Sequence, residues 1–288
     1  MGDRVVCVAI KPVAPVLEVD WTTGIARLDP RHLVRTGSDA AACAVGRAVA
    51  DALGADVVVV AVAGSASEGV LLDAAAEVGG AAVRVEVGED ADAANPAEQW
   101  GSDVVAAALE AVARDAAVVV CGDASGDRGS GTVPARLAHR LGVPQALCLR
   151  AVRVEDERLH GTRRLEGGRR EHVALDLPCV VSVEAAAAAP HRAALGATLA
   201  AAAGHPGVER RRLDPPHGAV RGDAPGTVVG PYRPRASDLP TPDAVDPVRR
   251  AVEIAGSLVA GDPPEVVRAS PEDAADAILE RLARWGLR

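Results

Sequence analysis

The sequence predicts an α/β fold in which a doubly wound, mostly parallel sheet carries a β-meander extension and a C-terminal arm. In the first half, short valine-rich runs alternate with alanine-rich stretches of helical length, which is the spacing of successive β-α-β units. The valine-rich runs are continuously apolar, as expected of strands buried on both faces of a parallel sheet. The predicted strands are Arg4–Ile10, Asp56–Ala61, Ala82–Val87 and Ala116–Cys121, and the predicted helices are Asp39–Leu53, Ser67–Val78, Pro96–Arg114 and Thr132–Leu141.

The next part of the chain predicts shorter strands. Acidic residues and glycines separate these strands, so we expect a meander or hairpin added to the parallel sheet. An alanine-rich helix is predicted to follow over Arg192–Ala203. The four strands are Ala146–Val154, Arg158–Leu165, Arg170–Asp176 and Cys179–Glu184.

The C-terminal part divides into an arm and two helices. Residues 1–203 form the predicted α/β domain, 204–247 are rich in Gly and Pro and predict an extended arm or linker, and 248–288 hold the helices. One helix is predicted over Asp246–Val259, and the other starts after a capping serine, Ser270. The last helix carries an apolar face, so it must dock on its own domain or on a second subunit. That face is formed by Ala274, Ile278, Leu282 and Trp285.

Composition excludes several classes of function. No run of about 18 uncharged apolar residues predicts a membrane span, and the absence of a secretory signal predicts a cytoplasmic protein. Aromatic residues make up 1% of the chain and its net charge is −9, which disfavours nucleic acid as a partner. Histidine and cysteine spacings predict no metal site. The cysteines are predicted to be small buried hydrophobic residues: Cys7, Cys43, Cys121, Cys148 and Cys179.

Ligands of open α/β sheets bind beyond the carboxyl ends of the strands, where two segments stand out. Lys11, the only lysine among 31 basic residues, follows the first strand. A glycine-rich loop over 122–132 follows the fourth strand and opens a helix, which favours anion binding through free backbone N–H groups. The loop matches neither common phosphate-binding motif, so a purely structural loop stays an equal alternative. The alternative to a binding role is a turn residue for Asp127 and a solvated strand end for Lys11.

No pattern in the sequence predicts catalysis. Ser65 and Ser125 have no base nearby in the sequence, and Asp123 and Asp127 can hold a ribose or cap the next helix as readily as move protons. A bound nucleotide without reactive side chains indicates a binding or carrier protein rather than an enzyme. An adenylating ligase of the same fold is therefore the least favoured hypothesis.

Four segments together resemble the β subunits of electron transfer flavoproteins over about residues 4–203. The most specific is an R-x-x-x-G-G-x-x-E-x-V signature with a following leucine-proline strand. The others are the opening strand with its lysine, the nucleotide loop with its L-A-x-x-L-G-x-P helix, and a partner-recognition segment. In the same order, the segments are Arg163–Val173 with Leu177–Val183, Val5–Lys11, Gly122–Pro144 and Pro190–Leu199.

The resemblance implies a Rossmann-like, adenine-nucleotide-binding fold and a heterodimer that carries electrons from a dehydrogenase to an acceptor. The α subunit would hold most of the FAD, and this chain would bind AMP and complete the flavin pocket. A dehydrogenase would dock near Leu195, whose alternative role is a helix core residue. The implied cofactor-binding residues are Ala9, Lys11, Ser38, Ala63, Asp123, Gly126, Asp127, Ser130, Gly131 and Thr132.

Departures from the family pattern indicate which subgroup of the family this chain resembles. Ser38 replaces the usual Asn, Val16 stands where some members have an aromatic beside the flavin, and 200–203 are alanines where a lysine-rich run is usual. Such a divergent, Ala/Arg-rich chain is similar to the β subunits associated with mycofactocin, a peptide-derived redox cofactor. A nucleotide-binding sensor of the universal-stress type is the alternative, although its ATP-loop pattern matches 122–132 poorly.

Overall fold

The computed structural model describes residues 4–16, 18–20, 22, 26–27, 29–88, 100–215, 241–259, 266 and 268–286. The chain divides into two compact units, Met1–Tyr232 and Arg233–Arg288. The second unit contains the helices α6 (Pro247–Val259) and α7 (Pro271–Arg284). Ser270 caps α7 by accepting a hydrogen bond from the Asp273 N–H, as the sequence predicted.

In the described part of the first unit, nine strands form one sheet in the order β11-β5-β4-β1-β6-β10-β7-β8-β9. From β11 to β7 the neighbouring strands are parallel, and β8 is antiparallel to both β7 and β9. The predicted mostly parallel sheet with a meander is therefore confirmed. The strands are β1 (Val5–Ala9), β4 (Asp56–Val62), β5 (Ala81–Val87), β6 (Val118–Gly122), β7 (Gln145–Glu155), β8 (Arg158–Arg164), β9 (Arg170–Asp176), β10 (Cys179–Val183) and β11 (Val208–Leu213), with a separate hairpin of β2 (Glu18–Val19) and β3 (Ala26–Arg27).

Helices cover both faces of the sheet. The core on one face includes residues of α1 and α2, and the core on the other includes residues of α3 and α4. Gly46 lets α1 cross β1 closely, since a Cβ atom there would lie 2.3 Å from Cγ2 of Val8. Of the helix predicted over Pro96–Arg114, residues 96–99 lie outside the described part and 102–113 are helical. The helices are α1 (Gly37–Leu53), α2 (Glu68–Val78), α3 (Ser102–Ala113), α4 (Val133–Leu141) and α5 (Leu195–Ala202).

Strand β7 bends at Cys148, whose φ of 56° lies in the left-handed region. Its register with β10 shifts between Ala146 and Leu149, and its register with β8 shifts between Leu149 and Ala151. An ion pair between Arg4 and Glu157 places the β7–β8 turn beside the start of β1. The meander thus turns back over the α1 face, where Leu159 joins the core. The prediction that all cysteines are buried is wrong for Cys148, because the bend leaves it exposed; the other four are buried.

Part of the predicted arm belongs to the sheet. Val208–Leu213 forms the edge strand β11, which pairs in parallel with β5 over its full length. The strand reads Val-Glu-Arg-Arg-Arg-Leu, and none of its residues is fully buried. Its sequence therefore lacks the apolar run by which the other strands were recognised. This explains why the arm was predicted to begin as early as residue 204.

The order of the strands reverses at β1. The chain continues from β1 to β4 on one side, and later returns to β6 on the other side. The carboxyl ends of β1 and β6 therefore lie side by side at the topological switch point. The region beyond them, here called the switch-point crevice, is where ligands of such sheets bind. Every helix in the described ranges is too short or too polar to cross a bilayer.

Candidate functional site

The start of α1 closes one side of the switch-point crevice. Thr36 caps the helix, because its Oγ1 accepts a hydrogen bond from the Asp39 N–H at 3.2 Å. Ser38 is buried and its hydroxyl donates to the carbonyl of Ala124, in the loop after β6, at 3.0 Å. A Cβ atom on Gly122 would lie 2.8 Å from Oδ1 of Asp39, so glycine is needed where β6 meets α1.

Lys11 extends from the end of β1 to the loop after β6. Its Nζ lies 2.8 Å from Oδ1 and 2.7 Å from Oδ2 of Asp127, in a half-exposed ion pair. Partial burial would raise the pKa of Asp127, but hydrogen bonds from Lys11, Ser125 and the Arg128 N–H, with the charge of Lys11, lower the pKa to about 2. Asp127 is therefore a charge partner rather than only a turn residue, and Lys11 is not a freely solvated strand end.

Asp39 holds the main chain of the same lysine. Its Oδ2 accepts a hydrogen bond from the Lys11 N–H at 3.3 Å. Burial raises the pKa of Asp39 to about 6, although hydrogen bonds from Lys11 and Thr36 and the charge of Arg35 act in the opposite direction. Two carboxylates with different proton affinities thus fix Lys11 at its backbone and at its ammonium group.

The loop between β6 and α4 is shaped by its own backbone contacts. Oδ1 of Asp123 accepts the Ala124 N–H at 2.8 Å, and the Asp123 N–H donates to the carbonyl of Val183. Gly129 and Gly131 adopt φ values of 62° and 61°, which favour glycine. A Cβ atom on Gly131 would also lie 2.9 Å from the Asp123 carbonyl oxygen. The loop therefore turns back on itself before α4 begins.

Hydroxyl groups attach the far end of the loop to α3. Ser130 Oγ lies 3.2 Å from Thr132 Oγ1, which donates to Ser102 Oγ at 3.0 Å. The N-terminus of α4 follows directly, although Pro134 has no N–H and the Arg136 N–H donates to the Thr132 carbonyl. Hydroxyls, a helix N-terminus and one lysine around a crevice can bind an anion. In the described ranges, no group of three or more His, Cys, Asp or Glu side chains is placed to hold a metal ion.

The structure brings some of the predicted site residues together and leaves others apart. Lys11 contacts Asp127, and a Cβ atom on Gly126 would lie 3.2 Å from Cγ2 of Thr36. Ser130, Gly131 and Thr132 lie at the α3 end of the same loop. Ala9 is buried in β1. Ala63 follows β4, on the opposite side of β1 from the loop, and its N–H donates to the carbonyl of Val85.

Two polar residues of the crevice did not appear among the predicted site residues. Thr36 and Asp39 are the first and fourth residues of Thr-Gly-Ser-Asp, a capping-box pattern before an apolar helix, so the sequence carried a signal for both. The contact between Thr132 and Ser102 had no such signal, because it joins two helices that are distant in sequence.

A family model described as the electron transfer flavoprotein domain matches residues 34–213. The chain belongs to the electron transfer flavoprotein family. It is 32% identical over 188 residues to the electron transfer flavoprotein subunit beta of Chromohalobacter salexigens, an alignment that covers 63% of this chain and 66% of that relative, just under two thirds. The match to the family ends with β11, so this strand belongs to the family domain rather than to an arm.

Proposed function

We propose that this protein is the β subunit of a heterodimeric electron transfer flavoprotein, an electron carrier rather than an enzyme. The observation that carries the proposal is the family match over 34–213, which contains the α1 start and the loop after β6 that form the crevice. The similarity to a relative named as a beta subunit supports this choice of subunit. The partner α subunit would hold most of the FAD.

AMP is the proposed ligand of the crevice, and the residues present fit a phosphate group. The left-handed glycines of the loop leave the start of α4 available to a phosphate, and the Ser130 and Thr132 hydroxyls, which bond to each other and to Ser102, would rotate toward it. The loop contains two carboxylates, Asp123 and Asp127. Because Lys11 neutralises the charge of Asp127, the loop repels an anion less than it would with both carboxylates unpaired. The adenine would lie against the ends of β1 and β4. The proposed residues are Ala9, Lys11, Ser38, Ala63, Asp123, Gly126, Asp127, Ser130, Gly131 and Thr132.

FAD, when bound, would supply the one- and two-electron chemistry of the complex. This chain would contribute a wall that shields the flavin from water and orients it. Val16 lies beyond the end of β1 with 57% of its surface exposed, which leaves it free to contact a group held by a partner. The wall needs no acid, base or nucleophile.

Two exposed apolar surfaces support the proposed protein partners. Leu195 and Leu199 lie one turn apart on α5 and are 74% and 62% exposed, which does not fit the alternative of a core role for Leu195. They suit a docking site for a dehydrogenase. In the second unit, α6 exposes Val248 and Val252, and α7 exposes Ile278. These helices suit an α subunit.

Co-expression with a candidate α subunit tests the proposal. We expect a stable heterodimer with a flavin absorption spectrum, from which denaturation releases FAD and AMP identified by mass. A folded, flavin-free chain that never associates would contradict the proposal. ATP binding without an α subunit would favour the universal-stress alternative. The cytoplasmic location and the mycofactocin association stay predictions.

Replacing Leu195 separates docking from flavin binding. We expect Leu195→Ala to raise KM for the donor dehydrogenase about 10-fold, since an exposed leucine at a docking centre contributes about 1–2 kcal/mol. The flavin content of the heterodimer should not change. Val266→Ala, also an exposed apolar residue but in the second unit, is the control. Equal KM values for the Leu195 and Val266 variants would remove Leu195 from the docking site.

A further inference from the structure

Strand β5 contains a buried arginine. Arg84 is 1% exposed, although it lies in a strand that is otherwise rich in valine. Its guanidinium group contacts Glu86 at 2.6 Å and Glu68 at 3.2 Å, and donates to the carbonyl of Ala63 at 3.4 Å. A buried cation needs such partners, because an unpaired charge in the core is strongly destabilising.

Glu68 shares its carboxylate between the core and the edge of the sheet. Besides Arg84, it accepts two hydrogen bonds from Arg210 of β11, at 3.0 and 3.3 Å. Glu86 contacts Arg212 of the same strand in the same way, at 3.3 Å. We call these five residues the ionic latch: Glu68, Arg84, Glu86, Arg210 and Arg212.

The latch joins elements that also hold α5. Glu68 is the first residue of α2, the helix on which α5 packs. The segment that follows α5 leads within a few residues to β11. Helix α5 is therefore fixed on one side by α2 and at its C-terminal end by β11, and Glu68 connects both supports.

Apolar packing holds β11 at its two ends, where Val208 and Leu213 contact the cores on the two faces of the sheet. This edge strand has no fully buried residue, and Arg210 and Arg212 are mostly exposed. Exposed ion pairs contribute little and are screened by salt. Besides its backbone pairing with β5, the middle of β11 is attached through the half-buried carboxylates of Glu68 and Glu86, which lie against Arg84.

We infer that Glu68 is a positioning residue that holds β11 and α5 in the orientation that presents Leu195 and Leu199. Loss of its charge lets β11 open locally while the rest of the sheet stays folded. The effect on presentation of the two leucines rests on the proposed docking function, whereas the local opening of β11 does not.

Amide hydrogen exchange of the full chain tests the opening directly. In Glu68→Gln we expect exchange over 208–213 to accelerate about 10-fold at low salt, while exchange in β1 and β6 is unchanged. High salt should accelerate the same amides in the wild type but add little in the variant. Glu171→Gln is the control, because Glu171 also pairs with an arginine, Arg163, but lies in β9 at the opposite edge of the sheet from β11.

Unchanged exchange over 208–213 in Glu68→Gln would overturn the inference. If the variant loses protection in all strands, Arg210→Gln decides, since it removes only the exposed partner of Glu68. Opening confined to β11 in that variant supports the latch, and unchanged or uniform exchange overturns it.

Kinetics with a donor dehydrogenase test the positioning of α5. We expect Glu68→Gln to raise KM for the dehydrogenase about 3- to 10-fold, with kcat unchanged, because docking weakens and electron transfer in the docked complex does not. An unchanged KM with an open β11 would overturn the positioning role. Failure of the wild type to accept electrons would instead count against the proposed function.

Discussion

Lys11 is held at two points by carboxylates whose pKa values are shifted in opposite directions. Asp39 binds its main-chain N–H and has a raised pKa, and Asp127 binds its Nζ and has a lowered pKa. The difference follows from burial: Asp39 is enclosed between α1 and β6 without a cation in contact, whereas Asp127 lies at the surface beside an ammonium group. Near neutral pH both are mainly ionised, but only Asp39 is close to its titration.

Asp39 should make the stability of the protein depend on pH. Its pKa is about 6 in the folded chain and 3.8 when unperturbed, so the folded state binds this proton more tightly. The free energy of unfolding should therefore rise by up to about 3 kcal/mol from this group as the pH falls from about 7 to about 4. Urea denaturation across this range should show the rise in the wild type and not in Asp39→Asn.

The exposed carboxylate of Asp103 provides the control for this measurement. Asp103→Asn should keep the dependence of the wild type, because it changes a surface carboxylate paired with Arg136 and leaves the buried Asp39 in place. If Asp39→Asn and the wild type show the same slope, the raised pKa of Asp39 is wrong.

Lys11 should matter for ligand affinity more than for folding. Lys11→Met leaves Asp127 as an uncompensated negative charge next to the proposed phosphate site. We expect AMP affinity to fall about 10- to 100-fold by calorimetry, the value of one charge-assisted contact. Arg114→Met, which removes a cation from α3 away from the crevice, should leave affinity unchanged. Equal affinities for the wild type and Lys11→Met would place the phosphate elsewhere.

At the scale of elements, the loop between β6 and α4 offers a comparison between two glycines. Gly129 and Gly131 share the same left-handed backbone conformation. A Cβ atom on Gly131 would lie only 2.9 Å from the Asp123 carbonyl oxygen, whereas a Cβ atom on Gly129 would lie 3.8 Å from its nearest neighbour. Gly129→Ala should cost about 1 kcal/mol of stability, the cost of the φ value alone.

Gly131→Ala should cost about 1–2 kcal/mol more than Gly129→Ala and should weaken AMP binding, because the contact can be relieved only by moving the loop. Thermal unfolding and calorimetry of both variants measure the difference. Equal effects of the two substitutions would show that the close approach to Asp123 does not shape the loop.

Helices and buried strands are also the elements that the sequence predicted well. The predicted α1, α2 and α4 end at the observed residues and begin within two residues of the observed starts, since a cap and an apolar face are local properties. The sequence did not predict β11, because an arginine-rich edge strand becomes recognisable only beside Glu68 and Glu86. It also did not predict the bend at Cys148, which depends on register with β10 and β8.

At the scale of the whole molecule, the second unit should serve the heterodimer rather than the fold of the first unit. In the full chain, Val252→Asp combined with Ile278→Asp places charges on the exposed apolar sides of α6 and α7. We expect affinity for the α subunit to fall at least about 10-fold by ultracentrifugation, because each buried charge would lack a partner. The melting temperature of the first unit should not change.

A polar substitution on the same helices provides the comparison. Asp276→Asn alters an exposed residue of α7 without adding a charge, and should bind the α subunit as the wild type does. If the double aspartate variant also binds normally, these helices do not contact the α subunit.

The sequence by itself determined the α/β class, the family and the presence of a lysine and a glycine-rich loop after two strands. These features depend on residues close together in the chain, whose periodicity and turn preferences are readable directly. Only the tertiary structure decided that Lys11 joins Asp39 to Asp127 and that Glu68 joins Arg84 to Arg210. Such pairs form between residues distant in sequence, and the strand order that brings them together is set by the packing of the whole sheet.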